Sequence, residues 1–169
     1  MIAAAVAIVL REGGGDDGIE ALFIHRAERA GDPWSGQIAF PGGRRDPGDA
    51  DLLVTAIRET REEIGVDLSS AERLGVLDDL HPRTPFLPPV VVRPFVFALT
   101  ERPVITLSAE VQDAFWVPFR ALEAPGVRGV ITVDHPGIPG VRLPAYILGN
   151  RTIWGMSERL LTPLISLIS

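Results

Sequence analysis

Three glutamates, Glu59, Glu62 and Glu63, fall within five residues in "RETREEIGV" (58–66), and a glycine pair, Gly42-Gly43, stands ahead of them in "FPGG". On a helical wheel at about 100° per residue, Glu62 lies about 60° to one side of Glu59 and Glu63 about 40° to the other. The three carboxylates therefore share one arc, and Ile57 and Ile64 point away from it. Carboxylates so close repel one another by roughly a few tenths of a kcal/mol per exposed helical pair. A hard divalent cation reverses the sign of that interaction, because Mg²⁺ prefers oxygen ligands and commonly bridges protein carboxylates to phosphates. The glycines complete the pattern. Without side chains, Gly42 and Gly43 let backbone carbonyls or amides approach a metal or a phosphate. The chemistry expected of such a group is metal-assisted work on a phosphate compound.

These residues need a helix and a preceding loop to hold them. Residues 51–64 have helical periodicity, with Leu53, Ala56, Ile57, Thr60 and Ile64 on one side. Asp51 is the expected N-cap, and Gly65 stands where a helix C-terminal glycine belongs. Upstream, "REGGGDDG" (11–18) is a glycine-acid turn that joins apolar runs at 3–10 and 20–26 as a hairpin. "IAF" reads as a short strand ending at Pro41. Downstream, 73–80, 90–99 and 113–119 read as strands, with a helical turn at "RALEA". The proline-rich 81–89 is loop, and 128–148 is expected to be strand, turn and strand. "GNRTIWG" is expected to be a turn. A terminal amphipathic helix should start near Ser157, bent or interrupted near Pro163. Strands, one central helix, more strands and a last helix predict an α+β domain of α/β/α layers.

The bulk properties narrow the function classes. A chain of 169 residues, 46% apolar, suits one folded domain over 1–169. A formal net charge of −6 argues against a protein that holds nucleic acid by its phosphates. An acidic protein still binds phosphate where a metal supplies the positive charge. The absence of cysteine excludes disulfides, thiolate zinc sites and a cysteine nucleophile, and makes a cytoplasmic location the expectation. All sixteen basic residues are arginine, a bias that fits GC-rich coding and also suits bidentate phosphate contacts. "MIAAAVAIVL" is too short to span a bilayer and lacks the positive start of a signal peptide, so it reads as a buried first strand, with no membrane partner.

"GGRRDPGDADLLVTAIRETREEIGV" resembles the Nudix box. Residues 58–66 fit its second half, Arg-Glu-U-x-Glu-Glu-x-Gly-U with U aliphatic, except that Thr60 replaces the first aliphatic residue. The span from Gly43 to Arg58 is one residue longer than the pattern, so the box's first acid falls on Asp49 counted from the glycine and on Ala50 counted from the arginine. The loop length resembles the coenzyme A pyrophosphatase branch of the family, as do the leader "LFIHRAERAGDPWSGQIAFPGG" and the later "AEVQDAFWVPF" and "IWGMSERLL". "DPWSGQ" departs from that branch, which usually carries a histidine there.

The resemblance implies a Nudix-type mixed β-sheet between helices and hydrolysis of a nucleoside diphosphate linked to another moiety. The implied substrate is coenzyme A or an acyl derivative, cut to 3′,5′-ADP and (acyl-)phosphopantetheine. The alternatives are another nucleotide (a nucleoside triphosphate, NADH, ADP-ribose or a dinucleoside polyphosphate) or a non-catalytic binding module, which would be expected to have lost metal-binding glutamates. Glu59, Glu62 and Glu63, with the backbone of Gly43, would hold one to three Mg²⁺ or Mn²⁺ ions. Either Glu59 or a later glutamate would accept a proton from water. Arg58 would pair with a box glutamate and hold it in place. Glu110 lies where relatives carry a loop carboxylate that assists, and Asp113 is a weaker alternative. Arg44 and Arg45 would touch substrate phosphates. His81 and Arg83 would reach a phosphate or base. Each of these also has a plainer reading as a surface charge. Trp34 is offered for stacking or packing, His25 for a structural role, and Trp116 and Trp154 for the core. The apolar chain ends offer a homodimer interface.

Overall fold

The computed structural model describes residues 1–13, 18–30, 36–81, 89–135 and 138–168. The elements follow in the order β1 (Ile2–Glu12), β2 (Ile19–Arg26), β3 (Ile38–Ala39), β4 (Gly42–Arg44), α1 (Leu52–Ile64), β5 (Glu72–Val76), β6 (Val90–Leu99), β7 (Val111–Pro118), α2 (Phe119–Leu122), β8 (Arg128–His135), β9 (Ile138–Leu148), β10 (Arg151–Trp154) and α3 (Met156–Ile168).

The apolar opening run is the central strand. β1 pairs with β2 as an antiparallel hairpin, closed by the Gly13 amide donating to the Gly18 carbonyl. It runs parallel to β6 over its whole length and also takes β4 antiparallel near its start. Among the described residues this gives a seven-stranded mixed sheet, in the order β3-β2-β1-β6-β5 with β4 on β1 and β7 on β2. Both faces of β1 are covered, which is why its sequence lacks polar alternation. Ala5, Ala7 and Val9 pack under α1 with Ala56 and Ile64. Ala4, Val6, Ile8 and Leu10 face the other way, toward Leu122 of α2, Tyr146, Ile153 and the α3 leucines 160, 161 and 164. The result is the expected α/β/α layering, with a small β10-β9-β8 sheet added to the α3 side.

Three local expectations need correction. "GNRTIWG" is a turn only at Gly149-Asn150; Arg151–Trp154 is a strand, paired with Leu148–Ala145 of β9. Two turn residues suffice for a hairpin, and Gly149 takes the positive φ it needs. α3 runs uninterrupted through Pro163, since a proline removes only one backbone bond and the buried Leu160, Leu161, Leu164 and Ile165 hold that face to the core. β5 stops at Val76 after a register shift between Arg73 and Gly75, and Leu80 makes only an isolated bridge to Val92. No helix among the described residues is long and apolar enough to cross a membrane.

Candidate active site

Helix α1 starts and stops where its caps dictate. Asp51 accepts the Val54 amide at 2.9 Å, and Gly65 at φ 71° donates to the Arg61 carbonyl. The C-terminal carbonyls have their own partners. Thr106 and Ser108 donate backbone N–H groups to the carbonyls of Ile64 and Glu63, each at 2.9 Å. That contact fixes the approach to Glu110 on the end of the helix that carries Glu63. The Glu110 carbonyl in turn accepts the Ala27 amide, so β2, β7 and α1 meet at one place.

A cleft of about 390 Å³ opens there. Glu59, Glu63, Glu110, Gly42, Gly43 and Arg44 line it, joined by Arg26, Arg29 and Gln37. Glu63 is buried. Its Oε1 accepts the Gly42 amide at 2.8 Å, and its Oε2 lies 3.7 Å from Arg26. Burial pushes the Glu63 carboxyl up to about 8, and the nearby Glu59 and Glu110 charges act in the same direction. Glu59 lies so close over Gly43 that a Cβ on that glycine would come 2.5 Å from the Glu59 carboxyl carbon. Burial also raises the Glu59 carboxyl. Glu110 is exposed and meets Arg29 at 3.3 Å.

Glu62 does not enter the cleft. It is 57% exposed and paired with Arg58 at 3.1 Å. The wheel places it correctly beside Glu59, but the helix is tilted so that the Glu63 edge of the arc faces inward and the Glu62 edge faces solvent. Arg58 does more than the expected single pairing. Its Nε and Nη2 donate to the two oxygens of Asp49 at 2.9 and 3.0 Å, and its Nη1 donates to Glu59 at 3.1 Å and to Glu62. Asp49 is buried and also accepts the Asp46 amide and the Thr55 hydroxyl. The Arg58 hydrogen bonds hold its carboxyl well below the usual range, and they raise Arg58 in turn. Of the two candidate positions for the box's first acid, the side chain at 49 is the one bound into the site.

The remaining candidates divide. Arg44 is on the cleft wall. Arg45 turns instead to the Asp49 and Ala50 carbonyls at 2.9 and 3.4 Å, where it braces the loop. His81 is exposed, outside the cleft lining, and its carbonyl accepts from Arg159. Arg83 and Trp34 lie outside the described residues. His25 and Asp113 are neighbours across β2 and β7, and Asp113 pairs with Arg151 at 3.0 Å. Trp116 and Trp154 are half-buried at the core's margin. Sequence reasoning missed Asp49, Arg26, Arg29 and Gln37 as site residues. Only the ambiguous box spacing pointed to the first, and the arginines at a strand end carried no local signal.

The donor set suits a hard cation. Burial raises the proton affinity of Glu59 and Glu63, and Glu110 lines the same cleft, so the oxygen donors a hard cation prefers are gathered there. Among the described residues, however, no three acidic or histidine side chains converge as a ready-made metal cage. Glu59, Glu63 and Glu110 share this cleft with Arg26, Arg29 and Arg44, so carboxylate oxygens and guanidinium groups face one space. The chain belongs to the NUDIX domain family, whose model matches residues 1–132. It is 30% identical over 137 residues to the mitochondrial coenzyme A diphosphatase NUDT8 of Homo sapiens, covering 80% of this chain and 57% of that one. It is 37% identical over 131 residues to an uncharacterized protein of Schizosaccharomyces pombe, covering 75% and 40%. The chain thus spans roughly half the length of these relatives. A MutT/nudix family protein from Enterococcus faecalis shares the fold at a TM-score of 0.62, with 22% identity over 95% of this chain and 59% of that one.

Proposed function

We propose that this chain is a divalent-metal-dependent pyrophosphohydrolase that cleaves coenzyme A, or its acyl derivatives, to 3′,5′-ADP and (acyl-)phosphopantetheine. The observation that carries the reading is the meeting of Glu59, Glu63 and Glu110 with Arg26, Arg29 and Arg44 around the glycine pair. Glu59, Glu63 and the backbone at Gly43 would hold the metal, with Glu62 at the rim. A bound Mg²⁺ or Mn²⁺ ion supplies positive charge beside the pyrophosphate and acidifies water there. The chain's own groups do the rest. Arg44 and Arg29 place the anion and offset charge on its oxygens as the P–O bond to the leaving phosphate breaks. Glu59 or Glu110 takes the proton of the attacking water. Arg58, anchored on Asp49, holds Glu59 in position. Residues 1–169 act as one unit in this reading, because α3 shares its core with β1.

Coenzyme A is preferred as the substrate because a relative of that activity aligns over 80% of the chain and because of the length of the loop before α1. The test is a panel of coenzyme A, NADH, ADP-ribose, a diadenosine polyphosphate and the nucleoside triphosphates, with Mg²⁺ and then Mn²⁺, products identified by mass. Coenzyme A should give the highest kcat/KM. Another compound exceeding it by more than about tenfold would leave only the general pyrophosphohydrolase reading, since one pocket contact shifts preference by roughly 10- to 200-fold.

A further inference from the structure

The small sheet ends in a free edge. β10 and β8 are its outer strands, and among the described residues β8 pairs only with β9. The register tells which backbone groups stand free there. The Val127 carbonyl accepts the Ile147 amide at 2.8 Å, and the pairing then runs unbroken from Arg128 with Tyr146 to Val133 with Val141. In an antiparallel pair alternate residues turn both backbone groups toward the partner strand. Gly129, Ile131 and Val133 therefore bond to β9, while Arg128, Val130 and Thr132 turn theirs outward. The register shift past Val133 adds its extra residue on β9, so the alternation of β8 continues to Asp134. The edge lacks the usual protection, since "GVITV" (129–133) holds no charge and no proline. Val130 on it is exposed.

We infer that β8 pairs with β8 of a second copy of this chain, antiparallel about a two-fold axis at Ile131, joining the two small sheets into one. The contact is thus on β8 and not at the apolar chain ends. Outward residues bond only to outward residues, so the axis can move only in whole-residue steps. With the axis at Ile131, Arg128 faces Asp134 of the second copy and Val130 faces Thr132, so all four outward residues find partners. By the symmetry both charges are matched twice. An axis at Val130 or at Thr132 sets neither charge opposite the other. Both charged groups are steadied where they are needed. Arg128 lies over the Tyr146 ring at 4.4 Å and meets Glu158 at 3.4 Å, and Asp134 accepts the Gly140 amide at 2.9 Å. On the other face the two Ile131 side chains meet, and Val133 falls opposite Gly129, which has no side chain in the way.

The chain has no cysteine, so one introduced thiol reports the register. Ile131→Cys places two thiols in a non-hydrogen-bonded pair, with Cα atoms about 4.5 Å apart, within the reach of a disulfide. Val130→Cys and Thr132→Cys place them out of step. On mild oxidation Ile131→Cys should form a covalent dimer roughly tenfold faster than either neighbour. Sedimentation velocity over a range of micromolar concentrations should show a dimer for wild type and a monomer for Thr132→Pro. The amide lost there points away from β9, so the hairpin keeps its bonds, and a retained cooperative melt separates loss of pairing from loss of fold. Should Thr132→Pro fail to fold, the cysteine series decides alone. A wild type that is monomeric at every concentration, a dimer that survives Thr132→Pro, or fastest cross-linking at 130 or 132 would overturn the pairing.

Discussion

Asp49, just ahead of α1, and Glu63, in its last turn, are hidden from solvent to the same degree, 4% and 3% exposed, yet their surroundings are opposite. Asp49 accepts two guanidinium hydrogen bonds, a backbone amide and a hydroxyl, and is held ionised. Glu63 has one amide and an arginine at 3.7 Å, and burial pushes its carboxyl up to about 8. A buried carboxylate that is fully partnered braces a loop. One left short of positive charge stores an affinity for a cation or a proton. The same helix carries both arrangements, the closed one toward its start and the open one toward its end.

Four experiments bear on that contrast. The largest effect is expected at the open end. Glu63→Gln should lower turnover by roughly 10²-fold or more, in keeping with the several kcal/mol a catalytic metal contributes, while the fold survives. The exposed Glu62→Gln should cost clearly less, and an equal loss would contradict the division between them. The glycine pair comes next. Gly43→Ala puts a methyl against the flexible end of Glu59 and should cost activity by roughly tenfold or more with little loss of stability. Gly42→Ala instead collides with the Ala5 carbonyl and Val6 backbone and should destabilise the protein by about 1–3 kcal/mol. Thermal melts and kcat on the two variants should therefore rank them in opposite orders.

At the closed end, Arg58→Met leaves Asp49 buried without its cation and should cost about 3 kcal/mol in denaturant unfolding. A cost near zero would mean that the loop is held by its other bonds. The last test is one of pH. Glu63 is raised from 4.5 to about 8 in the folded, metal-free protein, so between those values the folded state holds a proton that the unfolded state has released. Its contribution to stability is fully present below about pH 4.5 and is lost as pH rises through about 8. Metal-free melting temperatures should fall over that window, less steeply in Glu63→Gln, and added Mg²⁺ should reduce the fall. Identical slopes in both proteins would place the raised group elsewhere.

Local signals were readable where local physics decides. α1 runs between Asp51 and Gly65 as its caps and periodicity require, and 90–99 is a strand to the residue. The glutamate arc was readable as geometry, but a wheel has no outside, so the exposure of Glu62 emerges only once α1 lies on β1. Glu110 lines the same cleft as Glu59 and Glu63 because β7 pairs with β2 and because Thr106 and Ser108 bond to the end of α1. Those contacts span most of the chain and leave no trace in spacing. Arg26 and Arg29 are unremarkable as residues after a strand until the same pairing gives them acids to face. Asp49 was ambiguous because counting along a loop cannot tell which of two neighbours turns inward; Arg58 settles it.

Met156 and Ser157 wall the cleft, yet they lie beyond residue 132, where the family match ends. The glutamate helix and one wall of the cleft thus come from distant stretches of chain that meet only through the fold. Substitutions at the start of α3 can therefore reshape that wall while the glutamate helix stays untouched.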